Sequence, residues 1–256
     1  EAHSLFDATD DTIIACIDRA QTTLDIAVYN NNSGPIVQAI NDAYDRGVNI
    51  RYIAEGQTAN SGLNSLNAAI PTFERQGALS SGMHNKFLVV DRNNVDSALV
   101  LTGSTNWTSN NLFSDPNNMV IIQDQALARA YTLEFNEMWG GEDLAPNIAL
   151  SKFGEFKTNN TPEKFIIGGV PVELYFSPSD NTTIHIAEAV ESTDYDLHFA
   201  LLLITNNVLA DAVIDQVSIF VQPKGIVESV NISGSDVEEL MENGVEICPH
   251  TNAGQL

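Results

Sequence analysis

Along the first half of the chain, apolar residues at helical spacing alternate with short runs that are apolar throughout, which predicts helices set between buried strands. Asp10 to Ala20 carries Ile13, Ile14, Ile17 and Ala20 on one face behind Asp10-Asp11-Thr12, the pattern of an amphipathic helix with a side-chain cap. Leu24 to Tyr29 reads as a strand, ended by Asn30-Asn31-Asn32-Ser33-Gly34. Pro35 then opens a helix with Ile36, Ala39, Ile40, Ala43 and Tyr44 on one side and Gly47 at its end, and Val48 to Ala54 is the next strand. Ser4 to Phe6 is a further short strand candidate. Strands separated by helices imply right-handed crossovers and a parallel sheet covered by helices. Residues 55–82 are polar around a short helix expected at Leu63 to Ala69, a connection long enough to wall a site.

The rhythm changes at Met83. Met83 to Asp91 and Ser97 to Thr102 read as two strands, joined by a hairpin turn that Arg92, Asn93 and Asn94 lengthen. Because side chains alternate along a strand, His84 and Lys86 share one face while Phe87 and Val89 take the other. The second run breaks at Gly103, with Ser104 and Asn106 two apart at its exit. If the two strands pair, an imidazole, an ammonium, a hydroxyl and an amide converge on one sheet edge, a set suited to an anionic phosphate ester. Taken singly, each has an ordinary role: a strand cap at His84, an edge lysine at Lys86, a turn at Gly103-Ser104. Asn110 to Asn118 reads as a loop, Met119 to Gln123 as a strand, and Gln125 to Trp139 as a helix with Leu127, Ala130, Tyr131, Phe135 and Trp139 inward.

Beyond Gly140 the composition shifts to Asn, Thr, Pro and Gly, and the opening pattern then returns. Asp180-Asn181-Thr182 precedes Ile184 to Val190 as Asp10-Asp11-Thr12 precedes Ile14 to Ala20; Tyr195 to Ala200 matches Leu24 to Tyr29; Leu209 to Val213 matches Ile36 to Ile40. This is an internal repeat. Three regions follow: 1–145, a linker at 146–168, and a second, incomplete half at 169–256. Gly244 answers Gly77, and Gly254-Gln255-Leu256 answers Gly82-Met83, so the sequence stops just short of a second His-x-Lys. His185 and His198 have no lysine two positions on and read as a helix-surface and an edge or core histidine, and His250 is followed two on by Asn252.

Charge narrows the partners. The net charge of −23 comes from 34 acidic and 11 basic residues and divides evenly: 7 basic against 18 acidic up to residue 145, 4 against 16 after it. Such a surface repels nucleic-acid backbones and anionic membranes at long range, which disfavours a general nuclease; solubility or a salty environment is the alternative account of it. No apolar run approaches the roughly 20 residues of a membrane-spanning helix. The two cysteines, Cys16 in a core run and Cys248 in a late strand, do not fix a redox compartment. A start at Glu1-Ala2-His3 suits a processed secreted or periplasmic protein.

His84-x-Lys86 followed by Asp91, then Gly103, Ser104 and Asn106, resembles the signature of the phospholipase D superfamily, with a longer spacer before Gly103. The closing helix with its Phe135 and Trp139 is also similar. The resemblance implies an α/β fold of two pseudo-repeated phospholipase D-like α/β/α sandwich halves, here with the second incomplete. It also implies a metal-free, cofactor-free phosphodiesterase: one histidine attacks phosphorus, another protonates the leaving alcohol, and water hydrolyses the phosphohistidine. By that analogy His84 is the nucleophile, Lys86, Gly103, Ser104 and Asn106 line the phosphate, and Asp91 is a structural or charge-balancing partner. Relatives carry a Glu after the Gly-Ser-x-Asn motif where Asn117 or Asn118 stands. Three readings remain open: a phosphodiesterase acting on phospholipid whose second signature comes from a missing segment or another subunit, a dimeric nuclease, and an inactive phosphate-binding module.

Overall fold

The computed structural model describes residues 8–77, 82–218 and 220–250. The strand candidate at Ser4 to Phe6 and the stretch Gly254-Gln255-Leu256 lie outside the described residues. Two compact units emerge, Glu1–Asp180 and Asn181–Leu256.

The first unit runs α1 (Thr9–Asp18), β1 (Thr23–Val28), α2 (Gly34–Asp45), β2 (Asn49–Glu55), a 3-10 turn at Ser61–Ser65, β3 (Thr72–Arg75), β4 (Lys86–Val90), β5 (Leu99–Gly103), α3 (Ser109–Phe113), β6 (Met119–Ile122) and α4 (Gln125–Trp139). A hairpin of β7 (Lys164–Ile167) and β8 (Val170–Glu173) follows. Six strands form one sheet in the order β3-β2-β1-β4-β5-β6.

β1, β2 and β3 pair in parallel, and β4, β5 and β6 each run antiparallel to the preceding neighbour in that order, the β4–β5 pair through the expected hairpin. The cause lies in connection length. The link from β4 to β5 is a tight turn in which Asp91 takes a left-handed φ of +48° and Asn94 N–H donates to Asp91 O at 2.8 Å, and a link that short can join only antiparallel strands. The expected helix at Leu63 to Ala69 is the 3-10 turn, and the expected loop at Asn110 to Asn118 holds α3.

Both faces of this sheet are covered. Leu24, Ile26 and Val28 of β1 and Leu88 and Val90 of β4 pack against α1 and α2. Phe87 and Val89, on the opposite face, pack against Tyr131, Phe135 and Trp139 of α4 together with Leu174 and Phe176, so the chain up to Phe176 completes the first unit's core. Each such buried side chain contributes roughly 1.5–3 kcal/mol, which is why α4 is required to close the second face. Asp124 caps α4 by accepting from Leu127 N–H at 2.8 Å, and Gly140 ends it at φ +83°, where a Cβ would collide with the Asn147 carbonyl. The side-chain cap expected at the start of α1 is absent: Ala8 occupies the N-cap position, and Thr12 Oγ1 turns back to donate to Ala8 O at 2.8 Å.

The second unit runs α5 (Thr182–Glu191), β9 (His198–Leu201), α6 (Asn207–Asp215), β10 (Lys224–Val227), α7 (Val237–Glu242) and β11 (Glu246–Pro249). Its three parallel strands lie in the order β11-β10-β9, the order and sense of β3-β2-β1, which is consistent with the internal repeat.

Candidate active site

Strand direction decides what meets at the sheet's ends. With β4 antiparallel to both β1 and β5, the start of β4 lies at the edge where β1, β2, β3 and β5 end and β6 begins. His84 and Lys86 therefore stand beside the loops that leave β1 and β5. The ladder begins at Lys86 rather than Met83, leaving His84 in the exposed segment just ahead of it.

Tyr29, the first residue after β1, joins the two. Its N–H donates to Asn85 O at 2.8 Å, its ring meets the His84 imidazole edge to face at 4.6 Å between centroids, and Lys86 Nζ lies 5.1 Å from its ring centre. Lys86 Nζ also donates to His84 O at 2.7 Å. Burial, and then the neighbouring Lys86 charge, lower the His84 pKa, so the imidazole is neutral at pH 7 with a free lone pair. Burial pushes Lys86 down to about 8, leaving it charged at pH 7 but close to losing its proton.

The β5 exit supplies neutral donors. A Cβ on Gly103 would collide with the Asn118 carbonyl, so only glycine lets Ser104 N–H donate to that carbonyl at 3.1 Å. Ser104 Oγ donates to Asn117 Oδ1 at 2.9 Å and accepts from Asn118 N–H at 3.0 Å. Asn106 N–H donates to Asn111 Oδ1 at 3.1 Å, while Asn106 Oδ1 is buried with no hydrogen-bond partner among the described residues. The loops after β1 and β5 are clipped together: Trp107 N–H donates to Asn30 O at 3.1 Å and Asn32 N–H to Trp107 O at 2.9 Å. That clip carries Asn106 towards the loop that begins with Tyr29.

His84, Lys86, Gly103, Ser104 and Asn106 thus lie at one edge of the sheet. Asp91 does not join them: it follows β4, at the strand's other end. Its fully buried carboxylate accepts from the N–H groups of Gln21, Thr22 and Thr23 and from the hydroxyls of Thr22 and Ser97. Asn117 accepts from Ser104 through its amide oxygen and contributes no charge.

Sequence reasoning missed Tyr29 and Glu55. Glu55 ends β2 fully buried, and its Oε2 accepts the Met83 N–H at 2.9 Å. A charged residue closing an apolar strand at the edge where β1 also ends was the available signal for it.

The chemistry set at this edge gives a sign to the pH response. A neutral His84 and a charged Lys86 coexist between the lowered histidine pKa and about 8. For a reaction that relies on a charged Lys86, turnover should fall as pH rises through about 8, and Lys86→Arg should remove the share of that fall that Lys86 causes. A pH profile of kcat/KM for the two proteins checks it.

Comparison with known proteins agrees with this geometry. The family described as cardiolipin synthase, PLD-like domain, matches residues 13–139, from α1 to the end of α4. The mitochondrial cardiolipin hydrolase of Xenopus tropicalis is 33% identical over 133 residues, covering 50% of this chain and 59% of that protein. That of Drosophila melanogaster is 30% identical over 144 residues, covering 50% and 57%. The chain thus spans well under two thirds of these curated relatives. The polyphosphate kinase of Porphyromonas gingivalis shares the fold across 93% of this chain and 39% of its own, with a TM-score of 0.56 at 8% identity. With the signature residues gathered at the carboxyl edge of a helix-covered sheet and that match over residues 13–139, the chain belongs to the phospholipase D superfamily.

Proposed function

We propose that this chain is a phosphodiesterase that cleaves through a phosphohistidine on His84, with a phospholipid as substrate. The single observation carrying the reading is the neutral, exposed imidazole of His84 held against Tyr29 beside the ammonium of Lys86. A ring nitrogen of His84 attacks phosphorus and the bond to the leaving alcohol breaks, its oxygen taking a proton from a second, protonated imidazole. Water then gives a proton back to that imidazole and its oxygen attacks phosphorus, breaking the N–P bond and restoring His84. Lys86 offsets the charge that grows on the phosphoryl oxygens, and Ser104 and Asn106 orient them.

The second imidazole comes from another copy of the chain or from a segment outside this sequence. Within this one, His185 is engaged with Glu188 at 2.9 Å and His250 lies 3.5 Å from Glu228. Phospholipid is favoured over nucleic acid because relatives are named cardiolipin hydrolases. Incubation with phosphatidylcholine vesicles, cardiolipin vesicles and single-stranded DNA, followed by mass analysis for phosphate on His84, tests the reading. Release of a lipid head group with label on His84 supports it. Faster cleavage of DNA makes the chain a nuclease, and label on neither substrate class leaves a phosphate-binding module.

A further inference from the structure

We infer that Glu55 is a positioning residue for His84, an inference that rests on the phosphodiesterase reading above. His84 precedes the β4 ladder, so strand pairing does not hold its backbone in place. The residues on either side of it are held instead. Before it, Met83 N–H donates to Glu55 Oε2 at 2.9 Å; after it, Asn85 O accepts from Tyr29 N–H at 2.8 Å. Both ties lead to Glu55, because Glu55 N–H donates to Tyr29 O at 3.1 Å. One residue therefore fixes the chain entering His84 through its side chain and the ring packed against His84 through its backbone.

The carboxylate is itself immobilised. Glu55 is fully buried, Arg75 Nη1 lies 3.4 Å from Oε2, and Gln57 N–H donates to Oε1 at 3.1 Å. Asn60 Nδ2 donates to the Glu55 carbonyl at 2.8 Å and Asn60 Oδ1 accepts from Asn31 N–H at 2.9 Å, which ties the same node to the clip between the β1 and β5 loops. A carboxylate that served only to neutralise Arg75 would not need its Met83 bond. A carboxylate that aims His84 would.

Two variants separate these roles. Glu55→Gln keeps the reach and an acceptor for Met83 but removes the charge; Glu55→Asp keeps the charge but is shorter by one methylene. Since a misplacement near 1 Å can cost about a hundredfold in rate, we expect E55D to lose roughly 30–100-fold in kcat with KM nearly unchanged, and E55Q to stay within about threefold of the parent. Amide exchange at Met83 should accelerate in E55D and not in E55Q. Parent-like kcat in E55D, a loss in E55Q as deep as in E55D, or unchanged Met83 exchange in a slowed E55D overturns the inference. E55Q decides it alone if E55D does not fold, since a deep kcat loss in folded E55Q also overturns it. His84→Ala run alongside keeps the two claims apart: an inactive H84A with a parent-like E55D sinks only the positioning role, whereas an active H84A sinks the phosphodiesterase reading.

Discussion

Replacing His84 by alanine is expected to lower phosphodiester turnover by at least about 10⁴-fold, because in the proposed reaction His84 forms the bond to phosphorus and no neighbour can replace it. Lys86, Ser104 and Asn106 remain, so substrate binding should weaken far less than turnover. The fold should be nearly untouched. His84 is exposed, lies outside the β4 ladder, and makes one edge-to-face contact with Tyr29, so the change in stability should stay within about 1 kcal/mol. Paired measurements of kcat and of chemical denaturation check both halves of the statement. Unchanged hydrolysis in that variant would refute the assignment of His84 outright.

Asp91→Ala should do the reverse. Its carboxylate accepts from three backbone N–H groups and two hydroxyls, all of which lose their partner when it is removed, and its backbone sits at φ +48°, where alanine is strained. A loss on the order of 3–4 kcal/mol follows, with the turnover of the protein that remains folded unchanged. Asp91→Gly should recover the backbone share alone. Burial acts to raise the Asp91 pKa, but the N–H groups of Thr23 and Thr22 and the Thr22 and Ser97 hydroxyls outweigh it and hold the carboxyl below its usual range. Because the folded value is the lower one, this stabilisation is complete above the unfolded-chain pKa and fades as pH falls through the folded one. Denaturation midpoints of D91A and the parent should therefore converge in acid. A D91A protein as stable as the parent at neutral pH contradicts the account.

What the sequence revealed and what it hid divide along physical lines. Gln125 to Trp139 was legible as a helix because its apolar face, the Asp124 cap and the Gly140 stop all lie within one segment. His84, Lys86, Ser104 and Asn106 were legible as a group because alternation along two adjacent strands is a local rule. The β4–β5 hairpin was legible too, but the place of β4 in the sheet was not, since it depends on which strands pair across it: β4 lies beside β1, far back in sequence, and runs antiparallel to it. The same non-local pairing hid Glu55 and Tyr29, whose importance comes from Met83 and Asn85 arriving next to them. It also separated Asp91 from the other signature residues, for a strand that brings its first residue to one edge must leave its last at the other. Leu174 and Phe176 fall in the stretch read as the start of the second half, yet they pack into the first unit's core, which no periodicity announces.

The half-buried ammonium beside Tyr29 has a use in covalent probing. At pH 7.4 an amine titrating near 8 is about one-fifth unprotonated, against about one-thousandth for an ordinary lysine. Among the five lysines, Lys152, Lys164 and Lys224 pair with carboxylates at the surface and Lys157 is buried against Glu134. A mild acylating reagent should therefore modify Lys86 first, giving a single-site tag whose attachment rate should drop when a phosphate ester occupies the proposed site.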